Sequence, residues 1–241
     1  MDVYKKAIET LIKWIDESEN IIFFGGAGVS TESGIPDFRS DDGLYNKKYA
    51  YPPETIISHS FFIKKTKEFY SFYKDKMVYT EAKPNITHEK LARLEEKGKL
   101  KAIITQNIDG LHQAAGSNKV YELHGSIFRN YCMKCNKFYE INAILKENDI
   151  PSCSCGGIIK PDVVLYEESL DESILLQVTK LIAEADLLIV GGTSLSVYPA
   201  ANLIQFYRGD KLVLINKSTT PYDKEADLLI QASLGDVFSN L

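Results

Sequence analysis

All four cysteines of this 241-residue chain lie within residues 132–155, as Cys132-Met-Lys-Cys135 and Cys153-Ser-Cys155, the second pair running straight into Gly156-Gly157. Two thiol pairs so spaced suit one tetrahedral Zn2+. The first pair has the ordinary gap of a zinc ribbon. The second is one residue tight, so its turn must be strained or extended to place both sulfurs on one metal. Four thiolates leave no open coordination position, which makes such a metal structural and not catalytic. A redox dithiol is the alternative, and unligated thiols are the remaining reading.

A second set of chemically capable residues follows short apolar runs. TQNIDGLH (105–112) offers Gln106, Asn107, Asp109 and His112 just past the run KAII. Buried carboxamides and a carboxylate need partners, and a ligand amide or ribose would supply them; capping of the following helix is the plain alternative. His124 follows VYEL and precedes Gly125, a position for a general base that reaches a sugar hydroxyl, or for a satisfied structural imidazole. GGAGVS (25–30) reads as a glycine turn that lets backbone N–H groups approach a pyrophosphate. The usual dinucleotide fingerprint wants a further glycine where Thr31 stands, and no acidic residue follows a second strand at the expected distance. A turn chosen only for chain reversal is therefore the competing reading. GGTSLSVYPA (191–200) repeats the pattern with Thr193 and Ser194 as donors to phosphate or ribose, and Asn216 ends the next run where a ribose-binding residue belongs. GIPDFRS (34–40) is a shaped loop without periodicity. Phe38 could cover a cationic intermediate beside a phosphate-binding Arg39; an Asp37–Arg39 ion pair with Phe38 in the core is the structural reading.

These residues need a scaffold that brings them to one edge. IIFF (21–24), KAII (101–104), VYEL (120–123), DLLIV (186–190) and KLVLI (211–215) are strand-like runs that end in glycine or polar residues. Helical patterns lie between most of them, from Asn85 to Gly98, from Asp171 onward, and from Pro199 to Gly209. Strand alternating with helix predicts an α/β fold, a parallel sheet covered on both faces, with ligands bound outside the carboxyl ends of the strands. Residues 40–82, aromatic and lysine-rich with a helical stretch FFIKKTKEFYSFYK, and residues 126–160, with the cysteines, break the alternation. They are expected to form a small lobe inserted into the larger domain, which takes 1–39, 83–125 and 161–241. Hydrophobic residues at 44% and charged residues at 25% fit a globular protein with a sizeable core. A net charge of −5 supplies no basic field for nucleic acid. The first residues read as an amphipathic helix, neither a signal peptide nor a membrane span, so the expected location is cytoplasmic.

Taken together, GAGVS (26–30), GIPDFR (34–39), TQNID (105–109), HG (124–125), the cysteine pairs, PDVVLY (161–166), GTSLSVYPA (192–200) and Ile215-Asn216 resemble the sirtuins, NAD-dependent protein lysine deacylases, in order and spacing along nearly the whole chain. The compact bacterial and archaeal forms are the most similar. The resemblance implies a Rossmann-like domain with a small zinc-bearing lobe, and NAD and an acyl-lysine peptide meeting between them. By the same resemblance Ala27, Thr31, Arg39, Gln106, His124, Thr193, Ser194, Asn216 and Asp236 would contact NAD. Phe38, Ile108 and Asp109 would form the nicotinamide pocket, and Asn107 would hold the reacting ribose. Val163, Leu165 and Val197 would border an extended peptide. His124 would be the catalytic base, and the products would be free lysine, nicotinamide and 2′-O-acyl-ADP-ribose.

Two departures from the family pattern stand out: the tight second cysteine pair, and Tyr166-Glu167-Glu168 where the family reads a Phe-Gly-Glu-like segment. In sirtuins that remove succinyl or malonyl groups, a Tyr and an Arg three residues later bind the acyl carboxylate. The matching positions here are Tyr70 and Tyr73, which implies a pocket for neutral acyl groups, with Lys74 turned about 100° away. A non-catalytic NAD or ADP-ribose binding module and an NAD glycohydrolase or ADP-ribosyltransferase are the competing functions. His124, Asn107 and the PDVVLY segment favour the deacylase.

Overall fold

The computed structural model describes residues 2–38, 43, 49–147 and 149–241. Arg39 lies outside them. Six strands form one parallel sheet: β1 (Ile21–Gly25), β2 (Leu100–Thr105), β3 (Val120–Glu122), and, after a second sheet's β4 (Gly125–Cys132), β5 (Phe138–Tyr139) and β6 (Ile159–Val163), the strands β7 (Leu187–Gly191), β8 (Leu212–Ile215) and β9 (Leu228–Ile230). Their order is β3-β2-β1-β7-β8-β9. From β1 the chain builds outward to β3, then returns to the other side of β1 with β7, so the strand order reverses between β1 and β7. Crevices for ligands open at such a reversal.

Alternation along the strands explains why this sheet is buried on both faces. Ile21 and Phe23 of β1, Leu187 and Ile189 of β7, and Val213 and Ile215 of β8 join one core with Leu11, Leu91 and Phe238. Their neighbours Ile22, Phe24, Leu188, Val190, Leu212 and Leu214 join a second core with Val178, Ile182 and Ile204. Each such side chain stabilises the fold by about 1.5–3 kcal/mol through burial. The covering helices follow the sequence signals closely. Asn85 caps the helix Ile86–Glu96, its side chain accepting from Thr87 N. Asp171 does the same for Glu172–Glu184 through Ser173 N and Ile174 N.

Three local features differ from the sequence reading. The stretch opened by Pro199 is a 3-10 helix, Ala200–Phe206. The glycine turn leads into two short 3-10 turns, Ala27–Val29 and Thr31–Ser33. The sixth strand, β9, is three residues long with only Ile230 buried, too short to show a period.

The smaller sheet, β5-β4-β6, is antiparallel. Its core includes Ile127, Ile144, Ile159 and Val163, together with Phe62, Phe69, Tyr70 and Tyr73 from the aromatic helices. Those helices are two, His59–Lys64 and Thr66–Lys76, because Lys65 leaves helical geometry at φ −136°, ψ 50°. No described helix is long and apolar enough to cross a membrane.

Candidate active site

Register brings the carboxyl ends of the large sheet level. Glu122 faces Thr105, Thr105 faces Gly25, Gly25 faces Gly191, Gly191 faces Ile215, and Ile215 faces Ile230. The residues that follow therefore emerge side by side, and a cavity of about 910 Å³ opens over them. Close backbone packing forms its floor: Gly28 N donates to Gly192 O at 2.7 Å. A Cβ on Gly28 would stand 2.7 Å from Gly192 Cα, so neither turn tolerates a side chain there.

Ala27, Thr31 and Phe38 line this cavity, as do Gln106, Asn107, Ile108, Asp109 and His124. Thr193, Ser194 and Asn216 line it from the β7 and β8 side, and Val163, Leu165 and Val197 border it. Asp236 does not line it. That residue is exposed on the helix Leu234–Phe238, whose start supplies Ser233 and Leu234 to the wall instead. His112 is also absent from the lining: it is buried, with its ring 4.7 Å from that of His88, and is a structural group.

Ser30, in the GAGVS turn but not singled out as a site residue, is the hub of one hydrogen-bonded set. Its buried hydroxyl donates to Asp109 Oδ2 at 2.6 Å and accepts from Asn107 Nδ2 at 3.0 Å. Asp109 Oδ1 accepts from Leu111 N at 2.9 Å. Burial pushes the Asp109 carboxyl above its ordinary range, with Ser30 and the Leu111 amide pulling back. Asn85 supports the same turn through Val29 O at 2.8 Å and Ser33 Oγ at 2.9 Å. Only the position of Ser30, first hydroxyl after the glycines, hinted at this role.

A second set crosses the strand ends. Gln106 Nε2 donates to Thr193 Oγ1 at 3.0 Å, and Thr193 N donates to Asn216 Oδ1 at 3.0 Å. Among the described residues Asn216 Nδ2, buried in a cavity-lining residue, has no partner, and a bound ligand would satisfy this donor. His124 Nδ1 lies 2.9 Å from Gln106 O. A carbonyl only accepts, so Nδ1 carries the proton and Nε2 keeps its lone pair. Burial lowers the His124 pKa, partly opposed by that carbonyl, so the ring is neutral near pH 7.

The cysteines form the other centre. Their four sulfurs lie within 4.8 Å of one another, with Cys132 and Cys155 at 3.4 Å and Cys135 and Cys153 at 3.6 Å. Zn–S bonds of about 2.3 Å in a tetrahedron demand sulfurs about 3.8 Å apart, whereas a disulfide demands about 2.05 Å, so the donor set fits zinc. The tight pair is accommodated by a turn in which Cys153 N donates to Gly157 O and Gly156 N to Cys153 O, both at 2.8 Å. Gly157 is required there, since its Cβ would stand 2.6 Å from Cys132 Sγ.

The acyl-pocket positions inferred from the sequence do not reach the cavity. Tyr70 is buried with its hydroxyl donating to Ile159 O, Tyr73 is buried beside it, and Lys74 Nζ donates to Glu147 O at 2.6 Å. Helical phase carries Lys76, not Lys74, to the cavity wall, where Asp75 pairs with it at 2.8 Å.

The sequence model of the Sir2 family matches residues 26–199, which span the glycine turn, the aromatic helices, both cysteine pairs and the second glycine loop. The chain belongs to the Sir2 family. Relatives of this Sir2 chain include the NAD-dependent protein deacetylase of Clostridium acetobutylicum, 60% identical over 238 residues and covering 97% of each chain. That of Cutibacterium acnes is 52% identical, with 96% of each covered. Among solved structures, a Sir2 protein with deacetylated p53 peptide and 3′-O-acetyl-ADP-ribose superposes with a TM-score of 0.90 at 39% identity, covering 97% of this chain and 96% of that one. A Sir2 complex with p53 peptide and NAD+ gives 0.85 at 40%, covering 96% and 95%.

Proposed function

We infer that this Sir2 chain is an NAD-dependent protein-lysine deacetylase that transfers the acetyl group of a lysine side chain to ADP-ribose and releases nicotinamide. The observation that carries this reading is His124 in the Nδ1–H tautomer, its basic Nε2 belonging to the same cavity as the glycine cradle and the unpartnered Asn216 amide. Bound NAD would supply the ribose carbon that loses nicotinamide and takes up the acyl oxygen.

The chain's own residues divide the work. Thr193, Ser194 and Asn216 Nδ2 donate to phosphate and ribose oxygens, while Ala27, Thr31 and Gln106 flank them. Asp109, held rigid by Ser30 and the Leu111 amide, accepts from the nicotinamide amide, and Ile108 packs on that ring. Asn107, anchored on Ser30, orients the reacting ribose. Phe38 excludes water from the exposed face of the reaction centre. His124 Nε2 takes a proton from a ribose hydroxyl, which its neutral state permits at pH 7. Val163, Leu165 and Val197 flank the peptide, whose backbone pairs with theirs. Residues 1–39, 83–125 and 161–241 make up the NAD-binding domain in this reading, and 40–82 with 126–160 the small lobe. Cys132, Cys135, Cys153 and Cys155 would hold a structural zinc that ties that lobe's hairpins together. Acetyl is the expected acyl group, because Tyr70 and Tyr73 supply no guanidinium to clamp an acyl carboxylate. The expected location is the cytoplasm.

Product analysis tests the assignment. Mass spectrometry after incubation with NAD and an acetyl-lysine peptide should find deacetylated peptide and acetyl-ADP-ribose in equal amounts. Free ADP-ribose with intact acetyl peptide would mark an NAD glycohydrolase instead.

A further inference from the structure

We propose that Glu167 is a positioning residue for the peptide substrate, its carboxylate tying the peptide-binding segment to Ser60 of the aromatic helical module. The proposal rests on the deacetylase reading and on the assignment of Val163 and Leu165 to the peptide.

Glu167 stands where the family pattern has glycine, and its backbone keeps the conformation that glycine favours, φ +75°. It is the third residue of a tight turn closed by Glu168 N donating to Leu165 O at 3.0 Å. A positive φ at that place selects for glycine, so a glutamate there is strained. The side chain has a use that glycine cannot supply. Its Oε2 accepts from Ser60 N at 2.8 Å, and its Oε1 from Ser60 Oγ at 3.0 Å.

The tie reinforces a seam already begun by the backbone. Ser58 and Tyr166 form a parallel bridge, with Tyr166 N donating to Ile57 O at 3.0 Å and His59 N to Tyr166 O at 2.9 Å. On the far side of Glu167, Glu168 accepts from Leu165 N at 2.9 Å, from Lys160 Nζ at 3.1 Å and from His59 Nδ1 at 2.8 Å. Glu168 thereby fixes the turn to its own strand and to residue 59, while Glu167 alone reaches residue 60. Glu167 lines the cavity beside Leu165 and Tyr166 while its carboxylate is engaged by Ser60.

An extended peptide that pairs with backbone gains affinity when the receiving segment is already ordered. Losing the Glu167 tie should therefore weaken peptide binding and leave the NAD site, built on the glycine loops, untouched. The variants are Glu167→Gly, Glu167→Gln, Ser60→Ala and the Glu167→Gly/Ser60→Ala pair, each measured for kcat and for the KM of acetyl peptide and of NAD. Glu167→Gly should raise peptide KM about three- to tenfold, the equivalent of releasing one ordered segment, with kcat and NAD KM within about twofold. Gln, of the same length and able to accept from Ser60 N, should restore most of the loss. Ser60→Ala should add nothing in the Glu167→Gly background. A Glu167→Gly peptide KM raised by less than about threefold, an equal rise in NAD KM, or full additivity with Ser60→Ala overturns the proposal. Wild-type protein that releases no nicotinamide with the peptide overturns the deacetylase reading, and this proposal with it.

Discussion

His124 carries the account at the level of single residues. Its Nδ1–H is committed to the Gln106 carbonyl, which leaves Nε2 as the one basic atom of the ring. His124→Ala should lower turnover about 10²–10⁴-fold, the usual contribution of a positioned base. NAD affinity, measured by calorimetry, should stay close to native, and near-native deacetylation by this variant would remove the residue from the mechanism. Its pH behaviour has a definite sign. Burial lowers the pKa from 6.5, so the competent neutral form persists to lower pH, and the acid limb of the kcat/KM profile should fall below 6.5. An acid limb above that value would point to another group. His124, Asn107, Asp109 and Asn216, which the sequence places shortly after apolar runs, all line the cavity. The hub role of Ser30 was not legible, since it depends on two loops separated by 79 positions meeting at 2.6 Å. Tyr70 and Tyr73, placed at the acyl pocket by resemblance, are instead buried in the small lobe's core, because packing and not spacing decides which helix positions face a cavity.

Among the elements, the cysteine hairpins are the most exposed to test. β5 has two residues and lies at the edge of the three-stranded sheet, where it pairs with β4. Metal on the four thiolates is therefore expected to couple to the folding of this sheet. Elemental analysis should give about one zinc per chain, and strong chelation should unfold the lobe and abolish activity together. Metal-free protein with full activity would show the cysteines to be incidental. The strands of the large sheet were legible as apolar runs ended by glycine or a polar residue. β9 was not, because its three residues owe their place to pairing with β8 and not to a pattern of their own.

For the molecule as a whole, two buried imidazoles set an acid limit. His88 is lowered to about 4 and His112 to about 3, both chiefly by burial, and their rings lie 4.7 Å apart. Folded-state values below the unfolded 6.5 mean that the unfolded chain binds more protons as pH falls. Their contribution is complete above 6.5 and is lost progressively toward pH 4 and 3, at up to about 1.4 kcal/mol per pH unit for each ring. His112→Phe, which replaces a ring whose nitrogens have no partner among the described residues, should flatten the fall of the urea midpoint between pH 6.5 and 4. An unchanged slope would assign acid sensitivity to other groups. Strand order, register and two glycine loops converge on one cavity that would join NAD to an acyl-lysine peptide, and the dependence of one on the other is the central claim. The direct measurement is nicotinamide release from NAD with and without an acetyl-lysine peptide. The account predicts release that requires the peptide and matches deacetylation mole for mole; release at the same rate without peptide, or none in its presence, would contradict it.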